Sequence, residues 1–177
     1  MEPSPADVLW PTDTCPDNAV LAGDGWWFLD LEGTDVGHAA LAAASTVLPF
    51  ATCWCVFDPP PGLTDEFFAA FTAGLGSHAP EAVAAPDWPR HVTAACAAYV
   101  SFNTAWFLDG ANEGRPSAGP AGRSPSYRQL LTSRWRWGAL ALRDDFPALS
   151  AALRAAAGWA SRTWGGDAET TGCPAFR

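Results

Sequence analysis

The chain contains no lysine; all ten of its basic side chains are arginine. A self-contained P-loop site is thereby excluded, because such a site sets a lysine on the nucleotide phosphates. Basic charge is also scarce as a whole. The net charge of -9 leaves little to displace the counterions of nucleic acid or to hold an anionic membrane surface. No apolar run approaches the length of a membrane span. No secretory leader is evident, and the five cysteines are odd in number with no even ladder of spacings. Both features point to reduced thiols in the cytoplasm. Cys53-Trp54-Cys55 has half the spacing of a zinc site, yet no second close Cys or His pair follows it. The thiols therefore read as small packing hydrophobes.

Large aromatics are what the chain has in excess, with ten tryptophans and ten phenylalanines. They imply a core of aromatic anchors with some left over for a pocket or an interface. A length of 177 residues fits one domain with a sizeable core. The arginine-only basic set, with abundant Ala, Gly and Pro, reads as the translation of a GC-rich bacterial genome. Residues 1–10 carry two prolines and little periodicity, and read as a lead-in. The apolar runs Ala19-Val20-Leu21-Ala22 and Trp26-Trp27-Phe28-Leu29 flank Gly23-Asp24-Gly25, a strong hairpin signal. Downstream the period changes. Helices are expected over 35–48, from Thr64 to a loop at 76–86, and over 88–108, 127–142 and 147–164. The Gly-, Pro- and Ser-rich stretch 109–125 reads as a mobile loop, and 165–177 as an irregular tail. The expected fold class is α+β, mostly α-helical: a single domain with a short β-hairpin followed by about five helices.

Three side chains near the start carry the chemistry. Asp13 and Asn18 lie in Thr12-Asp13-Thr14-Cys15-Pro16-Asp17-Asn18, and Asp30 in Phe28-Leu29-Asp30-Leu31-Glu32-Gly33. Turns favour Asp and Asn as backbone hydrogen-bond partners, so Asp13 and Asn18 alone would pass as turn residues. Asp30 adds to them, because a hairpin brings its two ends together and Asn18 and Asp30 stand at those ends. Asp30 is also expected to close a buried strand, where an unpaired carboxylate is costly. A magnesium ion shared with Asn18 answers that need, since magnesium takes a few protein oxygens and leaves the rest to water and phosphate. Elsewhere, Trp135-Arg136-Trp137 beside Arg134 reads as a helix alternating between core and solvent. His38 reads as a helix-start histidine.

Asp13-x4-Asn18, the hairpin, and Leu29-Asp30-Leu31-Glu32-Gly33 followed by Gly37-His38 resemble the C-terminal lobe of the aminoglycoside phosphotransferase and choline kinase-like family. Its catalytic loop usually reads His-Gly-Asp-x4-Asn and its metal segment Ile-Asp-Phe/Trp-Glu. The resemblance implies a kinase-like fold, with 13–33 as catalytic loop and metal segment and 35–164 as a helical subdomain shaping the acceptor pocket. It implies ATP and magnesium as cofactors and a small hydroxylated molecule as acceptor. By resemblance Asp13 would orient the acceptor hydroxyl as catalytic base, and Asn18 and Asp30 would be the magnesium ligands. Glu32 would support them from behind. Pro11-Thr12 stands where His-Gly usually precedes the aspartate, and Ala39-Ala40-Leu41-Ala42-Ala43-Ala44 where a buttressing aspartate is common. The family's lysine-bearing nucleotide lobe is expected to lie outside this chain, so that the chain alone would be weak or inactive. A face left open for that lobe would invite pairing with it or with a second copy. The alternative reading is a degenerate, non-catalytic module that binds a small molecule or a protein.

Overall fold

The computed structural model describes residues 4–48, 58–117, 119 and 124–170. The chain is α+β and mostly helical, as the periodicity indicates. Four short strands come first: β1 (Asp7–Trp10), β2 (Ala19–Ala22), β3 (Gly25–Phe28) and β4 (Asp35–His38). Among the described residues six helices follow: α1 (Ala39–Val47), α2 (Leu63–His78), α3 (Pro80–Ala84), α4 (Trp88–Asn112), α5 (Tyr127–Ala141) and α6 (Pro147–Thr163). The strands form two separate antiparallel ribbons, β2 with β3 and β1 with β4.

The β2–β3 hairpin turns on Gly23-Asp24 with Ala22 opposite Gly25. The Trp27 indole N–H donates to Asp24 Oδ1 at 3.2 Å across that turn. The β1–β4 ribbon corrects two expectations. Residues 7–10 are a strand rather than a lead-in, and 35–38 pair with them instead of opening a helix, with Asp7 opposite His38 and Trp10 opposite Asp35. Helix α1 therefore begins only at Ala39, where His38 Nδ1 accepts the Ala40 N–H at 3.1 Å. His38 is a helix cap, as its position implies. The expected loop at 76–86 is also partly helical, since α2 runs to His78 and Pro80 starts α3. Helix α4 continues to Asn112, four residues into the stretch read as a loop, part of which lies outside the described residues. The Cys53-Trp54-Cys55 motif lies outside them as well.

The core is built on α4, α5 and α6, with α1 laid against α4. Ala39, Ala40, Ala43 and Ala44 are buried on α1, and small side chains there let its backbone approach Val92 and Cys96 of α4 closely. Helix α5 starts with a reciprocal capping box between Ser126 and Gln129, which satisfies two helix-end donors. On α5 Trp135 is 2% exposed and stacks on Trp164 at 5.9 Å between ring centroids. Its neighbour Arg136 faces solvent and pairs with Glu169 at 2.6 Å. The alternation expected of this segment is not kept, since Arg134 is buried beside Trp135 and Trp137 is half-buried like Arg136. Glu169, its carboxyl held below the ordinary glutamate range by the Arg136 hydrogen bond, ties the tail to α5.

Two cysteines lie among the described residues, and they differ. Cys96 is a free, fully buried thiol whose pKa burial pushes up to about 12, consistent with a packing hydrophobe. Cys15 is disulfide-bonded, which corrects the reading of all five as reduced thiols. No helix among the described residues is long and apolar enough to cross a membrane.

Candidate functional site

The two ribbons converge on the segment that holds Asp13, Asn18 and Asp30. Strand β1 ends at Trp10, and the chain then crosses to β2 through a loop closed by a 3-10 turn, Pro16–Asn18. Asp13 organises this loop. Its Oδ1 accepts the Cys15 N–H at 3.2 Å and its Oδ2 accepts the Asn18 amide Nδ2 at 3.2 Å. The same Nδ2 lies 3.4 Å from the Asp13 carbonyl oxygen. Asn18 thus directs its donor at Asp13 and leaves Oδ1, the harder ligand atom, without a partner among the described residues.

Asn18 is joined to the far side of the hairpin through the backbone. Its carbonyl oxygen accepts the Leu29 N–H at 2.8 Å, one residue before Asp30. The convergence expected from the hairpin is therefore present in the main chain. Asp30 itself sits at φ 58°, ψ 51°, the sole positive-φ residue other than glycine among those described. A left-handed aspartate costs free energy that its surroundings must offset, and such residues gather at functional sites. The turn Leu31–Gly33 follows, and the Thr12 hydroxyl donates to the Gly33 carbonyl at 2.8 Å. That bond clamps the Asp13 loop to the Asp30 segment.

Electrostatics links the same groups. The Asp30 carboxyl is raised above the ordinary aspartate range, first by its hydrogen bond with Glu32 and then by the Glu32 charge. Glu32 is lowered by that same bond, while the Asp13 charge pushes it upward. Repulsion among these carboxylates is what a cation would relieve. Asp30 is fully exposed, however, and so is most of β3, with Trp26 64% and Phe28 66% exposed. The expectation that Asp30 closes a buried strand is overturned. Apolar residues signal burial only on average, and here no described element covers the outer face of the hairpin. Burial therefore gives no reason for a cation at Asp30; the neighbouring carboxylates do. No cluster of three or more His, Cys, Asp or Glu side chains able to hold a metal occurs among the described residues.

Neither a protein-family model nor a curated protein matches the chain. The functional reading therefore rests on the site itself.

Sequence reasoning missed the clamp, because a threonine and a glycine far apart in the chain carry no local signal of pairing. Gly33 is small for a reason: a Cβ there would stand 2.5 Å from Thr12 Oγ1. Gly33→Ala is expected to push Thr12 away and break the clamp, at a cost of about 1–2 kcal/mol. Urea unfolding checks this, and Thr12→Val combined with Gly33→Ala should cost little more than Gly33→Ala alone.

Proposed function

We propose that the chain is the magnesium- and acceptor-binding part of a kinase-like phosphotransferase, resembling the C-terminal lobe of the aminoglycoside phosphotransferase and choline kinase-like family. The activity is ATP- and magnesium-dependent phosphoryl transfer to a small hydroxylated molecule. The observation that carries the reading is the direct Asp13–Asn18 bond, clamped beside a left-handed Asp30. Two oxygen donors, Oδ1 of half-buried Asn18 and the exposed Asp30 carboxylate, suit a hard cation that keeps part of its water shell. Such an ion, when bound, neutralises charge on the phosphates and bridges them to the chain.

The chain's own groups supply the rest. Asp13 is exposed and oriented by two hydrogen bonds, so its carboxylate can accept the proton of an acceptor hydroxyl. Glu32 stands beside Asp30 and adds negative charge to the place where the cation would sit. A lysine for the phosphates must come from outside this chain. The exposed apolar hairpin, continuous with Asp30 through Leu29 and Leu31, is the surface against which a nucleotide-binding lobe would close. The same absence of lysine favours the second reading, a non-catalytic binding module.

Calorimetric titration with ATP, with and without magnesium, tests the proposal. The expected result is weak, millimolar binding that requires magnesium and falls about tenfold in Asp30→Asn. Nucleotide binding that is absent, or indifferent to magnesium, overturns it.

A further inference from the structure

Beside the Asp13 loop lies a cavity of about 600 Å³ walled by β1, α1 and α2. That volume falls in the range of small-molecule sites. Its walls are apolar, with Val8, Trp10, Ala42, Phe67, Phe71 and Leu75 the main contributors. Among the described residues no Asp, Glu or Arg lines it, and His78 is the one titratable side chain in its lining. Two further observations give it direction. Pro11 and Thr14, which bracket Asp13 in the chain, form part of the lining. Thr14 Oγ1 and Ser45 Oγ, also on the lining, are buried and have no hydrogen-bond partner among the described residues. Both oxygens are shielded from any solvent-sized contact, so the accessible wall of the cavity is apolar at these two residues as well.

We infer that this cavity holds the body of the phosphate acceptor, and that the acceptor is an uncharged, largely apolar alcohol rather than a polycation. The inference rests on the phosphotransferase reading above. The apolar body lies against Phe67, Phe71 and Leu75, and the hydroxyl is presented past Pro11 and Thr14 to Asp13. In the transfer, the acceptor oxygen bonds to the γ-phosphorus of a nucleoside triphosphate. The bond from that phosphorus to the β–γ bridging oxygen breaks, and the nucleoside diphosphate leaves with the electron pair. The hydroxyl proton passes to the Asp13 carboxylate. A cationic acceptor finds no carboxylate among the described residues lining this cavity to compensate its desolvation.

The test uses 1-octanol as probe and choline as the charged contrast, titrated into isotopically labelled chain and followed by NMR and calorimetry. Saturable octanol binding is expected, with methyl shifts centred on Val8, Ala42 and Leu75, and none with choline. Gly74 lies in the middle of α2 and lines the cavity, and a Cβ there meets nothing within 4 Å. Gly74→Leu suits a helix better than glycine does and fills the space, so octanol affinity should fall about tenfold or more. Absent octanol binding, shifts centred elsewhere, or full affinity in a folded Gly74→Leu overturns the inference. Magnesium–ATP calorimetry on the same sample separates the two readings. Octanol failure with magnesium-dependent nucleotide binding intact removes only the acceptor assignment. Loss of that nucleotide binding removes the phosphotransferase reading, and the acceptor role of the cavity with it.

Discussion

Replacing Trp135 by alanine is expected to cost about 3–5 kcal/mol, the range for a fully buried large aromatic. The indole is 2% exposed, stacks on Trp164 and donates its N–H to Thr104 Oγ1 at 2.9 Å. It joins α4, α5 and the end of α6, so the substitution leaves a cavity where three helices meet. The lost hydrogen bond adds to the lost burial, because Thr104 is left with a hydroxyl that also serves the Val100 carbonyl. Domains of this kind have about 5–15 kcal/mol of total stability, so the variant should sit close to unfolding. Guanidinium titration followed by far-UV circular dichroism measures the shift in midpoint. Trp135→Phe keeps the stack without the donor and should recover more than half of the loss. If the alanine variant loses less than about 1 kcal/mol, the helical core is not organised around this ring.

With a lysine-bearing nucleotide lobe supplied, Asp13→Ala is expected to lower phosphoryl transfer about 10²–10⁴-fold, the usual contribution of a positioned general base. Transfer of labelled γ-phosphate from ATP to 1-octanol or to water reads the effect, with background measured without magnesium. The same change removes the acceptor for both the Cys15 N–H and the Asn18 amide, so loop disorder could imitate a lost base. Asp13→Asn separates the two causes. An asparagine keeps the acceptor for Cys15 but cannot take a proton, so a base role predicts equal loss in both variants with nucleotide affinity unchanged. Turnover restored by the asparagine would assign Asp13 to positioning the loop alone. Turnover unaffected by either variant would favour the binding-module reading.

The hairpin was legible because its signal is local: a Gly-Asp turn between two apolar runs fixes the pairing of adjacent residues. From that pairing alone it followed that Asn18 and Asp30 approach each other, and the Asn18–Leu29 backbone bond bears this out. The helices were legible through their period, with errors at the ends where caps and prolines decide. Strands β1 and β4 were not, since four residues give too little alternation and each is completed only by a partner far along the chain. The Thr12–Gly33 clamp and the cavity beside it were hidden for the same reason.

The sequence by itself determined a mostly helical α+β chain without lysine, and the spacing that brings Asp13, Asn18 and Asp30 to one end of a hairpin. Those features depend on composition and on contacts between near neighbours, where propensity and period act directly. Tertiary structure alone decided that the aromatic hairpin is exposed rather than buried, and that Asp30 is raised chiefly by Glu32, with desolvation the smaller cause. It also decided that an apolar cavity lies beside the Asp13 loop, with Pro11 and Thr14 in its lining. Burial and pocket shape depend on which distant segments pack where, and a side chain's hydrophobicity states only what it would gain if something came to cover it.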